Sequence, residues 1–209
     1  MTEIKGIFFD MDGVLIDAKD WHYEALNRAL YLFGMTISRD EHLSTFDGLP
    51  TRDKLNILTK SRGLPQSLHE FLNNLKQKHT VELAYARCKP LFHHQYALSH
   101  LVKDGYRLAV CSNSIRTSVE LMMKLSALSD YLEFTLSNED VSHAKPNPEI
   151  YQLACKKMNL QPHECLVIED NEKGILAAKA SGCHVLPVGT VYDVTYKRIQ
   201  QKISELNGN

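Results

Sequence analysis

The sequence predicts an α/β fold: a parallel sheet flanked by helices in three layers, with an all-helical segment inserted after the first strand. Three observations carry this reading. The apolar run Gly6–Phe9 stops at an acidic cluster, which marks a short buried strand. The stretch from 17 to about 89 is almost wholly helical in pattern. After Pro90, strands alternate with helices, which implies parallel pairing, since parallel neighbours need a crossover.

The elements follow in chain order. Trp21, Ala25, Leu26, Ala29 and Leu30 recur at helical spacing until Gly34 ends the pattern. Ser38 with Glu41, and Ser67 with Glu70, each fit a capping box, in which serine and glutamate satisfy one another's free backbone N–H groups. A further helix is expected over 51–61. Beyond Pro90, helices at about 93–104, 115–126, 148–158 and 173–181 alternate with strands at 107–112, 134–136, 165–169 and 184–188. The expected core is residues 1–16 and 90–209. Residues 17–89 form the inserted helical domain, with hinges near 16–18 and 89–90.

Composition narrows the function classes. A chain of 209 residues holds one sizeable domain, or a core with a smaller insert. The net charge of -1 gives no electrostatic reason to expect nucleic acid or an anionic membrane as partner. The first apolar run is too short for a signal segment, and no stretch approaches the roughly 18 apolar residues of a membrane helix. The five cysteines form no CxxC pair, and Cys111, Cys155 and Cys165 fall in buried strands or helix faces. Free thiols point to the cytoplasm. A monomer or weak homodimer is expected.

In an open parallel sheet, ligands bind at the carboxyl ends of the strands. The first strand ends in Asp10-Met11-Asp12-Gly13, the second in Ser112-Asn113-Ser114 and the fourth in Glu169-Asp170-Asn171. Lys145 lies in the loop Ala-Lys-Pro-Asn-Pro, whose prolines keep it out of a helix. Four carboxylates on one edge would repel one another unless a divalent cation joined them, and carboxylate oxygens suit Mg²⁺. A hydroxyl and a lysine on the same edge supply donors for an anion. Metal, anion site and spare carboxylate together describe phosphoryl transfer.

Taken singly, each group has an ordinary structural reading. Asp-x-Asp-Gly makes turns, Ser112-Asn113 a turn or N-cap, Glu169-Asp170 a helix cap, and Lys145 a solvated side chain. It is their joint order at successive strand ends that makes coincidence a poor explanation. Walker A, GxGxxG, GxSxG and HExxH motifs are absent. His93 and His94 are expected at the surface.

These residues resemble the motifs of the haloacid dehalogenase superfamily over nearly the whole chain. DMDGVLID at 10–17 matches its first motif, Ser112 the second, Lys145 in KPNPEIY the third and EDNEKGILAAKASG at 169–182 the fourth. The resemblance implies a Rossmann-like core with a mobile helical cap inserted after the first strand. It also implies roles. Asp10 is the nucleophile and Asp12 the acid/base. Mg²⁺ is held by Asp10, the backbone carbonyl of Asp12, and Asp170. Ser112 and Lys145 bind the transferring phosphoryl group, with Asn113 contributing its backbone N–H and Glu169 standing behind the ligands.

The β-phosphoglucomutase-like group of sugar- and polyol-phosphatases is the subgroup this sequence is most similar to. His22 falls where the mutase has its hinge histidine. Arg52, in Phe-Asp-Gly-Leu-Pro-Thr-Arg, falls where the cap meets the substrate's distal phosphate. Their plain alternatives are a partly buried helix residue and a first-turn surface residue. Ala18 replaces a mutase threonine and Asp47 a mutase lysine, which favours hydrolysis over mutase chemistry. Lys19 and Lys54 are candidates for the Schiff-base lysine of phosphonate-cleaving members, although the surrounding pattern differs. The expected function is Mg²⁺-dependent hydrolysis of a small phosphorylated metabolite. The alternatives are a phosphosugar mutase and a non-catalytic phosphate-binding module, the latter disfavoured by an intact Asp12.

Overall fold

The computed structural model describes residues 3–208. Five strands form one parallel sheet in the order β3-β2-β1-β4-β5. They are β1 (Gly6–Phe9), β2 (Arg107–Cys111), β3 (Phe134–Leu136), β4 (Cys165–Glu169) and β5 (His184–Pro187). Gly6 of β1 is level with Arg107 of β2 on one side and Cys165 of β4 on the other. β1 and β4 are buried throughout, which explains their unbroken apolar runs. The strand order reverses direction at β1, so a crevice opens beyond the carboxyl ends of β1 and β4.

Alternate residues of each strand feed two cores. Ile7, Phe9, Val110 and Ile168 pack with helices α5 (Phe92–Lys103), α6 (Arg116–Leu125) and α9 (Tyr196–Asn207). Phe8, Ala109 and Val167 pack on the opposite face with α7 (Glu149–Met158) and α8 (Glu172–Ser181). The result is the three-layer arrangement expected from the sequence.

The segment between β1 and α5 holds four α-helices among the described residues. They are α1 (Lys19–Tyr31), the single turn α2 (Arg39–Glu41), α3 (Thr51–Arg62) and α4 (His69–Arg87). Leu26, Leu30, Ile37, Phe46, Leu55 and Leu72 give it an apolar cluster of its own. The facing ends of α1 and α4, through Trp21, Ala25, Leu83 and Ala84, join the sheet's first core. Ser38 and Glu41 form the expected capping box.

Four details differ from expectation. Ser67 does not cap α4, because Pro65 opens a tight turn over Gln66–Leu68 that already contains it. An N-cap residue must instead be extended. Helix α9, beyond the last expected element, is capped by Thr195 and buries Ile199 and Ile203. The chain's last segment also changes the environment of α5. His94 is 1% exposed, with Nε2 2.8 Å from the Val191 carbonyl, and His93 Nε2 reaches the same oxygen at 3.1 Å. His94 is thus a core residue, not a surface one. Finally, Cys88 and Cys183 join the three cysteines expected to be buried, and all five are free thiols. Among the described residues, no helix is long and apolar enough to cross a membrane.

Candidate active site

The carboxyl ends of β1, β2 and β4 meet at a cavity of about 480 Å³ that is roofed by α3 and α4. Asp10, Asp12, His22, Arg52, Ser112, Asn113, Lys145 and Glu169 all line it, so the structure brings together nearly every residue the sequence singled out. Asp170 lies alongside, its carboxylate within 4.8 Å of those of Asp10 and Glu169.

Lys145 is the hub. It is 4% exposed, and its Nζ donates to Asp10 Oδ1 at 2.7 Å, Glu169 Oε1 at 2.6 Å and the Cys111 carbonyl at 2.7 Å. Burial alone would lower its pKa, but the two carboxylates outweigh burial and hold it above the ordinary lysine value. Burial and the charge of Glu169 push the Asp10 carboxyl well up, against the pull of Lys145. Glu169 is fully engaged. Oε1 accepts from Lys145 and from the Tyr151 hydroxyl at 2.9 Å, and Oε2 accepts from the backbone N–H groups of Asp170 and Asn171.

Asp12 faces away from this cluster. Its Oδ2 accepts from the Ser114 hydroxyl at 2.8 Å, and its Oδ1 lies 3.0 Å from His22 Nε2, in a bent approach rather than a linear hydrogen bond. On the far side of the ring, Lys76 Nζ sits 3.2 Å from His22 Nδ1. Burial raises the Asp12 pKa, but His22, Ser114 and Lys76 together outweigh burial and hold it below the ordinary carboxylate value. The two aspartates of one turn are therefore driven in opposite directions, which is how a site assigns different roles to like groups.

The donor set suits a divalent cation. Asp170 Oδ1 is buried with no hydrogen-bond partner, and burial pushes the Asp170 carboxyl up to about 6. Asp10 is raised as well. A cation between them would relieve both, and hard carboxylate oxygens match Mg²⁺. Within the site, Lys19 Nζ partly compensates, at 2.5 Å from Asp170 Oδ2. Gly13, with φ of +94°, leaves no room for a side chain beneath the Asp170 carboxylate.

The Asn113 side chain makes contacts of its own. Its Nδ2 donates to the Gly48 and Lys145 carbonyls, and its Oδ1 accepts from Lys145 N. It thus ties the insert and the lysine loop to β2. Arg52, in the first turn of α3, is 82% exposed at the cavity mouth, with only Asp53 near it at 3.8 Å. Sequence reasoning missed Ser114 and Lys76. Lys76 was detectable: it takes a stripe position of α4 between Leu72 and Thr80, where an apolar residue belongs.

Fold, site and sequence family together define a hydrolase. A family model described as haloacid dehalogenase-like hydrolase matches residues 7–188, and the chain belongs to that family. A phosphorylated carbohydrates phosphatase of Thermotoga maritima is 29% identical over 181 residues, 86% of this chain and 82% of that protein. A pyrophosphatase PpaX of Bacillus anthracis is 25% identical over 203 residues, 93% of this chain and 90% of that one. The crystal structure of a β-phosphoglucomutase from Clostridium difficile covers 99% of this chain and 100% of its own, with a TM-score of 0.85 at 20% identity, which establishes the shared fold.

Proposed function

We propose that the chain is a Mg²⁺-dependent phosphatase that hydrolyses a small sugar, polyol or related metabolite phosphate through an aspartyl-phosphate on Asp10. The observation that carries this is the opposed tuning of Asp10 and Asp12 in one turn. Asp10 is held in the carboxylate–lysine cluster, and Asp12 is turned toward Ser114 and His22.

An oxygen of the Asp10 carboxylate attacks phosphorus as the bond to the leaving oxygen breaks, and Asp12 gives that oxygen a proton. The anionic phosphate, arriving beside Asp12, favours the protonated form this step needs. Water then attacks phosphorus and Asp12 takes its proton. The bond to Asp10 breaks, releasing inorganic phosphate and restoring both carboxyl groups. Ser112 and Lys145 hold the phosphoryl oxygens through both halves. Asp10, Asp170 and the backbone carbonyl of Asp12 would hold Mg²⁺, which supplies positive charge to the transferring group. Glu169, with both oxygens engaged, fixes Lys145 rather than acting as a ligand.

Residues 17–89 act as a cap that carries specificity, with Arg52 at its rim and His22 beside the acid/base. Free, buried thiols fit a cytoplasmic enzyme. The Thermotoga maritima relative, a phosphatase of phosphorylated carbohydrates, supports the substrate class. The test is a screen of phosphorylated metabolites for phosphate release with Mg²⁺. Release from sugar or polyol phosphates is expected. No release from any phosphate ester would refute the reading.

A further inference from the structure

The roof of the cavity carries two buried lysines that take no part in the bond-making steps. Lys54 on α3 and Lys76 on α4 are each 6% exposed, and both line the cavity. The other lysines there are occupied. Lys145 is paired with Asp10 and Glu169, Lys19 with Asp170, and Lys173 donates to the Asp47 carbonyl at 2.8 Å. Among the described residues, Lys54 Nζ has no hydrogen bond or ion pair, and Lys76 Nζ has only His22 Nδ1, at 3.2 Å.

Burying an ammonium with no counter-ion is strongly unfavourable. Both are less basic than an ordinary lysine, although the negative charges of Asp47 and Asp12 act against the effect of burial. Burial lowers Lys54 to about 8, and burial together with Lys54 lowers Lys76 to about 7. Packing alone explains neither, because methionine would fill the same space without the charge. A visiting anion explains both, because it completes the missing pair.

We propose that Lys54 and Lys76 form a second anion subsite, and that the natural substrate is a phosphate ester bearing a further anionic group, a carboxylate or a second phosphate. This deepens the phosphatase reading and rests on it for the position of the first phosphate. The reacting phosphate lies at Asp10 and Lys145 on the floor. The second anion lies under the roof, separated from Asp12 by the His22 ring, which Lys76 and Asp12 approach from opposite sides. Specificity then resides at the buried roof rather than at the exposed Arg52.

The test compares three probes of similar size. Glucose 6-phosphate has one anionic group, 6-phosphogluconate adds a carboxylate, and fructose 1,6-bisphosphate adds a phosphate. Phosphate release with Mg²⁺ should show a higher kcat/KM for one or both doubly anionic probes, and the better of the two identifies the second group. In Lys54→Met, that preference over glucose 6-phosphate should fall by about tenfold to a hundredfold, as loss of a charge-assisted contact predicts, chiefly through KM. Lys54→Arg should restore part of it. Lys54→Met should also melt at a higher temperature than the parent, since it removes an unpaired buried charge, so misfolding is not the expected confounder.

Equal kcat/KM for the three probes, or a preference that survives Lys54→Met, would overturn the subsite. If none of the probes, nor p-nitrophenyl phosphate, releases phosphate, the phosphatase reading fails. Calorimetric titration of the same probes into Asp10→Asn protein still decides the subsite. Tighter binding of a doubly anionic probe, lost in Lys54→Met, supports it, and equal affinities overturn it.

Discussion

Gly174, in the first turn of α8, lies directly against the carboxylate of Glu169: a Cβ built on Gly174 would overlap Oε1. The glycine is helical, so no unusual backbone angle demands it, and the close approach alone excludes a side chain. Since Glu169 Oε1 also receives Lys145 and Tyr151, displacing it disturbs the whole cluster around Asp10. Gly174→Ala is expected to lower kcat by at least tenfold. It should also destabilise the fold by about 1–3 kcal/mol, the usual cost of overpacking. Phosphate-release kinetics and thermal melting of the purified variant check both.

Asp10→Asn separates chemistry from folding. Removing a covalent nucleophile costs several orders of magnitude in turnover. The Asp10 carboxyl is pushed up by burial and by neighbouring carboxylates, so an uncharged amide of the same shape suits the site at least as well. Turnover should vanish while the melting temperature holds or rises. Mg²⁺-dependent turnover in a clean preparation would remove Asp10 from its assigned role.

The placement of Lys19 against Asp170 bears on the metal. EDTA should inactivate and Mg²⁺ restore activity. Ca²⁺ should inhibit, because its looser and higher coordination can engage both oxygens of Asp10 and spoil in-line attack. Lys19→Met removes a positive charge from beside the proposed ligands, so calorimetry should show tighter Mg²⁺ binding than in the parent. Unchanged or weaker binding would show that Lys19 does not compete with the cation.

Much of this was legible in the residues, for physical reasons. β1 and β4 are buried on both faces, so their sequences are apolar without interruption, and their polar ends stand out as functional. Asp10, Lys145 and Asp170 were readable because each interrupts an apolar element or a proline-bounded loop at the sheet edge. Lys54 was less readable than Lys76, because a lysine on a helix is ordinarily solvated, and only the packing of α3 over the cavity shows Lys54 to be buried. His94 and α9 were linked omissions. Without the final helix and the turn around Val191, nothing in the sequence covers α5.

That same contact predicts an acid-side loss of stability. Burial lowers His94 to about 4, with a smaller push from neighbouring His93 and against some help from the Val191 carbonyl. Burial lowers His42 to about 4 as well, beside Lys54 and Asp47. An unfolded histidine takes up its proton near pH 6.5, so the stabilisation is complete above that pH and is lost as pH falls toward 4. Each histidine contributes up to about 3 kcal/mol by this linkage. Urea midpoints should fall between pH 7 and pH 5, and His94→Gln should flatten the slope. A slope identical to the parent's would show that His94 does not titrate in this range.

What attacks a phosphorylated Asp10 decides between hydrolysis and transfer. From the sequence, two departures from the mutase pattern favour water: Ala18 for threonine, and Asp47 for lysine. The structure keeps the first and changes the force of the second. Ala18 is wholly buried at the start of α1 and offers no hydroxyl that could couple cap position to Asp12. Asp47, by contrast, does not stand free to repel a second phosphate. Its Oδ2 accepts from Asn171 Nδ2 at 3.0 Å and lies 3.9 Å from Lys19 Nζ, while Lys54 and Lys76 bring positive charge to the roof. The electrostatic objection to a bisphosphate therefore weakens, and hydrolysis rests on the missing hydroxyl at position 18. A mutase must keep water idle until a sugar hydroxyl returns, and this site has no such device at its hinge. Incubation with β-glucose 1-phosphate and Mg²⁺ is expected to give inorganic phosphate or no reaction. Glucose 6-phosphate formed faster than phosphate, and only with a bisphosphate primer present, would assign the chain to the mutases. In that event Ala18→Thr should increase the ratio of isomerisation to hydrolysis further, because it supplies the coupling hydroxyl that Ala18 lacks.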